Sequence, residues 1–157
     1  MTGAIKRIGL ISDTHGLLRE EALDALRGSE LIIHAGDVGK PEILDALRLL
    51  APVVAVRGNI DTAEWAKVLP ETAVAEAGGT LIYVLHDVSA MDLDPQAAWF
   101  QVVVSGHSHK PGSYERKGVL YINPGSAGPR RFQLPVTVAR LNLEPTPYQV
   151  TILNLDS

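Results

Sequence analysis

Cysteine is absent from the sequence, which excludes disulfide bridges and thiolate metal ligands. A metal site in this chain must therefore use histidine, carboxylate or amide side chains. An excess of positive charge is absent too, since 14 Lys and Arg residues face 18 Asp and Glu residues and leave a net charge of −4. This charge argues against an extended nucleic-acid-binding surface, but it permits a small ligand that carries phosphate.

Long hydrophobic runs are also missing. The apolar residues between Arg7 and Asp13 are too few for a secretory signal, and no later run approaches the length of a membrane span. We therefore expect a cytoplasmic protein without membrane contact. A chain of 157 residues, of which 46% are hydrophobic, can bury a sizeable core, so residues 1–157 are predicted to form one domain.

The first half of the chain repeats one arrangement, in which a short apolar run leads into a polar cluster. The runs Ile8–Ile11, Leu31–Ile33 and Val53–Val56 predict buried strands, and helical spacing follows the first two. Strands that alternate with helices predict a parallel sheet, whose strands all end at one edge. The polar side chains that follow these strands, and that we expect to converge at this edge, are Asp13, His15, Asp37 and Asn59.

The second half is predicted to consist mostly of strands. Thr72–Ala77 and Thr80–Leu85 flank Gly78-Gly79, which suits a hairpin loop, and the second of these strands runs into His86. Further strands are predicted at 119–122, 136–143 and 148–153, the last two as a closing hairpin. The simplest architecture is two packed sheets flanked by helices.

The most prominent polar cluster follows the apolar run Gln101–Val104. It reads Gly106-His107-Ser108-His109 and places two imidazoles one residue apart on a loop, which is a common placement for metal ligands. His-x-His also arises by chance, so the motif gains weight only from the other strands that end in a similar way.

Five polar clusters therefore follow five predicted strands. In chain order they are Asp13-Thr14-His15, Gly36-Asp37, Gly58-Asn59, His86 and Gly106-His107-Ser108-His109. This ordered set resembles the calcineurin-like metallophosphoesterase superfamily, and the short chain is most similar to its small, uncapped bacterial and archaeal phosphodiesterase branch. The resemblance implies an α/β fold in which two mixed β-sheets pack as a sandwich flanked by helices, the αββα arrangement.

The resemblance also implies a centre with two divalent metal ions. The first would be held by Asp13, His15, Asp37 and His109, and the second by Asp37, Asn59, His86 and His107, so that Asp37 is shared. Within this set Asp37, Asn59 and His107 are the implied catalytic residues. Mixed nitrogen and oxygen donors suit transition metals, and we expect manganese, with iron, nickel, cobalt or zinc as alternatives.

The implied function is hydrolysis of a small phosphoester, with phosphodiesters ahead of phosphomonoesters. Two ions roughly 3.5 to 4 Å apart can hold a hydroxide between them, and this hydroxide would be the nucleophile. A nuclease acting through the same centre is a weaker alternative because the chain has no basic surface. A non-catalytic protein-binding scaffold is another, since the retromer-subunit branch of the superfamily uses the fold in that way. A homo-oligomer is also compatible with the sequence.

Two positions depart from the family pattern. Ile60 stands where many relatives have a histidine thought to protonate the leaving group, so we expect a preference for esters that leave without a general acid. Asp87 stands where a glycine often follows the ligand histidine, and it either perturbs the approach to His86 or supports it from outside the ligand shell.

Other polar residues have structural interpretations. His34 lies within its strand and is interpreted as a core or hydrogen-bonding histidine. Asp61 either orients a ligand or caps the segment from Thr62. Asn123 and Ser126 are interpreted as turn residues near the centre.

Overall fold

The computed structural model describes residues 5–131 and 133–156, which form two five-stranded sheets packed face to face. The strands are β1 (Arg7–Ile11), β2 (Leu31–His34), β3 (Val53–Ala55), β4 (Thr72–Ala77), β5 (Thr80–Leu85), β6 (Val102–Val104), β7 (Gly112–Arg116), β8 (Val119–Asn123), β9 (Thr137–Asn142) and β10 (Gln149–Asn154). The α-helices in this part of the chain are α1 (Glu20–Leu26) and α2 (Pro41–Arg48), and short 3₁₀ helices span Glu64–Val68 and Val88–Ala90.

The first sheet has the strand order β10-β9-β1-β2-β3. Strands β1, β2 and β3 are parallel, with Ile8 opposite Leu31 and Ile32 opposite Val53. Helices α1 and α2 connect these strands, as the alternating pattern predicted. All three strands therefore end at the same edge of the sheet, and β9 and β10 extend it as an antiparallel hairpin.

The second sheet has the order β4-β5-β6-β8-β7, with β5, β6 and β8 parallel. The predicted hairpin of β4 and β5 is confirmed at both boundaries, and Gly78 and Gly79 both have positive φ, as a two-residue type I′ turn requires. Strand β7 was not predicted. Its sequence, Gly-Ser-Tyr-Glu-Arg, has no apolar alternation because it is an exposed edge strand.

Alternating residues of the strands divide between two cores. Ile8 and Leu10 of β1 face the space between the sheets, where they meet Val102 and Val104 of β6. Ile11 points to the opposite face, against α1 and α2. Burial of each aliphatic side chain of this kind stabilises the fold by about 1.5 to 3 kcal/mol. The alternation along each strand therefore fixes the register of the strand, and with it the position at which the following loop begins.

The predicted fold class is confirmed as two mixed sheets with flanking helices. Both α-helices pack on the outer face of the first sheet. The outer face of the second sheet is covered by residues 88–100, among which Met91, Leu93 and Phe100 pack against Tyr83 and Tyr121. Within the described ranges no helix combines the length and the apolar character that a membrane crossing needs. The single domain and the cytoplasmic location stay predictions.

Candidate metal centre

The loops at the ends of β1, β2, β5 and β6 bring five predicted ligands together. His15 Nε2 lies 3.4 Å from Asp37 Oδ2, and His86 Nε2 lies 3.2 Å from the same oxygen. His109 Nε2 lies 3.3 Å from Asp13 Oδ1. We call this group, Asp13, His15, Asp37, His86 and His109, the closed half of the centre.

Four atoms of the closed half are buried and have no hydrogen-bond partner in the described structure. They are Asp13 Oδ1, His15 Nε2, His86 Nε2 and His109 Nδ1. An unsatisfied buried polar group costs about 1 to 3 kcal/mol, so four in one place need an explanation. Divalent cations would provide it, because the ligand atoms of Asp13, His15 and His109, and those of Asp13, Asp37 and His86, form two groups that could each hold an ion, with members within 4.8 Å of one another.

Three other polar atoms of the closed half, Asp13 Oδ2, Asp37 Oδ1 and His86 Nδ1, are held by hydrogen bonds that fix the orientation of their side chains. Asp13 Oδ2 accepts from the Ser12 hydroxyl at 2.7 Å and from the His107 backbone N–H at 3.1 Å. Asp37 Oδ1 accepts from the Ile60 N–H at 3.0 Å. His86 Nδ1 lies 2.8 Å from the Ala35 carbonyl, to which it donates, so the lone pair is on Nε2.

Backbone strain is concentrated at the same loops. Non-glycine residues with positive φ include Asp13 (55°), His15 (48°), Asp37 (57°), His107 (72°) and His109 (63°), all of them predicted ligands. Such conformations cost of order 1 kcal/mol each and persist only where the surroundings impose them. Backbone hydrogen bonds between the loops impose these conformations here, from the Asp13 N–H to the Gly36 carbonyl at 3.0 Å and from the His15 N–H to the Asp37 carbonyl at 2.9 Å.

Two glycines in the family-like motifs allow the loops to approach this closely. A Cβ atom at Gly58 would overlap the carboxylate and backbone of Asp37. A Cβ atom at Gly106 would overlap the Ser12 hydroxyl and the Asp13 carboxylate. The glycine before Asn59 and the glycine before His107 therefore serve the packing of neighbouring loops.

Asp61 connects the loop after β2 with the loop after β3. Its buried carboxylate accepts hydrogen bonds from the N–H groups of Val38, Gly39 and Gly58, at 3.0, 3.0 and 2.9 Å. The 3₁₀ helix that follows has Ala63 at its N-cap, with no side-chain cap bond. Of the two alternatives drawn from the sequence, the structure therefore supports orientation of the ligand loops and not capping.

Asn123 supports the His-x-His loop in the same way. Its amide nitrogen donates to the Gly106 carbonyl at 3.0 Å and to the Ser108 hydroxyl at 3.1 Å, while its oxygen accepts from the Gly125 N–H at 2.9 Å. The hydroxyl of Ser126 donates to the Asp13 carbonyl at 3.1 Å. The sequence indicated a turn at this position, but the contacts to the ligand loops became visible only in the fold.

His34 is fully buried, and both of its ring nitrogens have partners. Nδ1 accepts from the Gly36 N–H at 3.1 Å, so the proton is on Nε2, which donates to Thr14 Oγ1 at 3.0 Å. Burial disfavours the imidazolium and lowers the pKa of His34 to about 4. The interpretation of His34 as a hydrogen-bonding core residue is confirmed.

The other two predicted ligands, Asn59 and His107, lie on the solvent side, and we call them the open half. The His107 ring centroid is 5.2 Å from that of His86, and His107 Nε2 is 3.8 Å from Asp87 Oδ2. Asn59 is exposed and lines the same cleft as His86 and His107. His107 does not join the two groups of ligand atoms. The structure brings five of the seven predicted ligands together, and the ligand roles of all seven stay predictions.

The ionisation of the closed half suits cation binding. Burial alone would raise the pKa of Asp13 and Asp37, but hydrogen bonds and the nearby histidines outweigh it and hold both pKa values below the usual one. Burial would lower the pKa of His86, yet its contacts with Asp37 and the Ala35 carbonyl raise it. A proton and a metal ion therefore compete for His86 Nε2.

Comparisons with known proteins agree with this geometry. A family model described as the calcineurin-like phosphoesterase superfamily domain matches residues 7–146. A probable metallophosphoesterase of Methanothermobacter thermautotrophicus is 35% identical over 150 residues, which covers 87% of each chain.

Solved structures with the same fold include two that differ in their described roles. The structure of a novel archaeal phosphodiesterase has a TM-score of 0.78 and 25% identity, covering 94% of this chain and 99% of that one. Vacuolar protein sorting 29 from Cryptosporidium parvum has a TM-score of 0.74 but only 20% identity, covering 96% and 98%, so it shows the fold alone. With the family model spanning most of its length, the chain belongs to the calcineurin-like phosphoesterase superfamily.

Proposed function

We propose that this protein is a phosphodiesterase that works with two divalent metal ions. The observation that carries the proposal is that three unpartnered buried atoms lie together, with His15 Nε2 at 3.7 Å and His86 Nε2 at 3.8 Å from Asp13 Oδ1. Similarity to the archaeal phosphodiesterase supports diesters as the substrate class. Manganese is the ion that we expect, on the mixed nitrogen and oxygen donor set.

The closed half would hold the ions from below, and Asn59 and His107 would complete the site from the solvent side. Bound there, the ions would supply Lewis acidity to the phosphoryl oxygens and would acidify a water for in-line attack on phosphorus. The carboxylates of Asp13 and Asp37 bring two negative charges, which is too few to neutralise two divalent ions. The chain therefore leaves a net positive centre that attracts the anionic phosphodiester.

The chain supplies no proton donor at position 60. Ile60 contributes its backbone N–H to Asp37, and its side chain, 41% exposed, is apolar. A leaving group that needs protonation would consequently depart slowly. We expect the rate to rise steeply as the leaving-group pKa falls across a series of aryl phosphodiesters. A rate that does not depend on the leaving-group pKa, measured where the chemical step is rate-limiting, would contradict this expectation.

Hydrolysis of bis(p-nitrophenyl) phosphate tests the proposed function. The protein is stripped with a chelator and then reloaded separately with Mn²⁺, Fe²⁺, Co²⁺, Ni²⁺ or Zn²⁺. We expect turnover to disappear and to return, with Mn²⁺ giving the highest rate, and kcat/KM to exceed that for p-nitrophenyl phosphate. Absence of turnover with every metal would overturn the proposal and favour a non-catalytic scaffold.

A further inference from the structure

A cleft of about 350 Å³ opens directly onto the metal centre. His86 and His107 form part of its wall, together with Asn59 and Tyr83. His86 is only 6% exposed, and its unpartnered Nε2 belongs to the centre itself. A diester whose phosphate lies at the centre can therefore place one of its two alcohol groups in this cleft.

The wall of the cleft carries an excess of negative charge. Glu71, Asp87 and Asp92 line it, and Arg57 is the one guanidinium among the lining residues. Three carboxylates against one guanidinium leave a formal charge of −2 on the cleft wall, apart from the histidines. This charge has the opposite sign from that expected for a pocket that binds further phosphate groups.

Arg57 does not offset the two aspartates, because it is already paired. Its Nη2 lies 3.2 Å from Glu71 Oε1. Asp87 Oδ1 accepts hydrogen bonds from the hydroxyl and the N–H of Ser89, at 2.7 and 3.0 Å, and Asp87 Oδ2 lies 3.8 Å from His107 Nε2. Asp87, whose side chain is 38% exposed, and the exposed Asp92 are therefore the two carboxylates of the cleft wall that Arg57 does not pair.

We propose that the cleft selects phosphodiesters whose alcohol group in the cleft is cationic, such as esters of amino alcohols or of quaternary ammonium alcohols. This inference rests on the proposed function and names its substrate class. The anionic phosphate is attracted to the metal centre, while the cationic group is attracted to Asp87 and Asp92. A polyanionic nucleotide is attracted only by the metal centre and repelled by the cleft.

The substrate pair that tests the proposal differs in a single atom. One member is p-nitrophenyl phosphocholine, and the other is p-nitrophenyl 3,3-dimethylbutyl phosphate, in which carbon replaces the quaternary nitrogen. In both, water adds across the same bond: a P–O bond to the water oxygen forms, the P–O bond to p-nitrophenolate breaks, and the water proton passes to solvent. The ratio of the two kcat/KM values therefore isolates the positive charge.

For the Mn²⁺-loaded protein we expect a ratio of about five in favour of the choline ester, which is the size of a partly solvated charge interaction. The ratio falls towards one as salt is added, because the carboxylates are solvent-accessible. Asp92→Asn lowers the ratio, and Arg57→Gln raises it by releasing the charge of Glu71. Asp45→Asn, which alters a surface carboxylate of α2 outside the cleft, leaves the ratio unchanged.

The outcomes separate this inference from the proposed function. Turnover of both esters with a ratio of one or below overturns the inference and leaves the phosphodiesterase standing. A ratio above one that neither Asp92→Asn nor Arg57→Gln changes from that of the unsubstituted protein overturns the assignment of the cationic-group site to this cleft. Failure to hydrolyse either ester with any of the metals overturns the proposed function, and the inference with it.

Discussion

In the closed half of the metal centre the side chains of Asp13, His15, Asp37, His86 and His109 are at most 16% exposed, whereas the side chain of His107 in the open half is 47% exposed. The closed half is also fixed by hydrogen bonds between loops. Folding alone has thus placed its ligand atoms close together, at a cost in strain and unsatisfied polar groups. In the open half, by contrast, Asn59 and the side chain of His107 remain exposed to solvent.

The difference in exposure and in hydrogen bonding between the two halves predicts an order of metal uptake. Preorganised ligands lose little entropy on binding, so we expect the closed half to take up the first ion and to hold it tightly. We expect the open half to supply the adjustable side, where a second ion, solvent and substrate would meet.

The largest effect is expected from Asp37→Asn. The variant keeps the size of the side chain and an oxygen for the Ile60 N–H, but it removes a negative charge from the closed half. We expect kcat/KM for an aryl phosphodiester to fall by about 10³, since ligand charge supports metal catalysis by several kcal/mol. Asp45→Asn, at an exposed position of α2, is the matched control and should keep full activity.

A smaller effect is expected from His107→Ala in the open half. Alanine keeps the Cβ atom and the backbone N–H that bonds Asp13, so the support of the closed half is unchanged. We expect about a 10²-fold loss of kcat/KM, with one tightly bound Mn²⁺ in place of two by calorimetric titration. If the variant bound no metal at all, the two halves would not be separable.

The sequence predicted the closed half better than the open half for a physical reason. Asp13 and Asp37 follow neighbouring parallel strands of the first sheet, whose ends meet at one edge, and His86 follows a buried strand of the sheet packed against it. His107 also follows a strand, but the direction of its half-exposed ring and its distance of 3.8 Å from Asp87 are set outside that strand. Neither is determined by strand order.

The same distinction holds for the fold. The β4–β5 hairpin was predicted to the residue because Gly78-Gly79 encodes its turn locally. Strand β7 was missed because an exposed edge strand needs no apolar pattern. The role of Asp61 depends on N–H groups more than twenty positions away at Val38 and Gly39, and no local pattern encodes that distance.

Asp61→Asn tests whether loop support matters to the closed half. The amide has one acceptor oxygen, so at least one N–H among Val38, Gly39 and Gly58 loses its partner. We expect Mn²⁺ affinity to fall roughly tenfold, as for other residues that orient ligands. The value of kcat should recover at saturating Mn²⁺, which a general loss of folding would not allow. Unchanged affinity in the folded variant would contradict the role.

The smallest effect concerns the support behind the closed half, where neutral His34 bonds Thr14 and Gly36. Its pKa of about 4 lies below the usual 6.5, so the unfolded chain takes up the proton first as pH falls. The stability that neutral His34 contributes is complete above the usual pKa and is lost as pH falls towards the folded value. From about pH 7 to about pH 5.5 this amounts to about 1 kcal/mol. In urea unfolding of the metal-free proteins, the free energy of unfolding of His34→Gln should therefore fall by about 1 kcal/mol less than that of the unsubstituted protein over the same pH interval, because glutamine does not titrate. An identical pH dependence in both proteins would mean that His34 is protonated without cost.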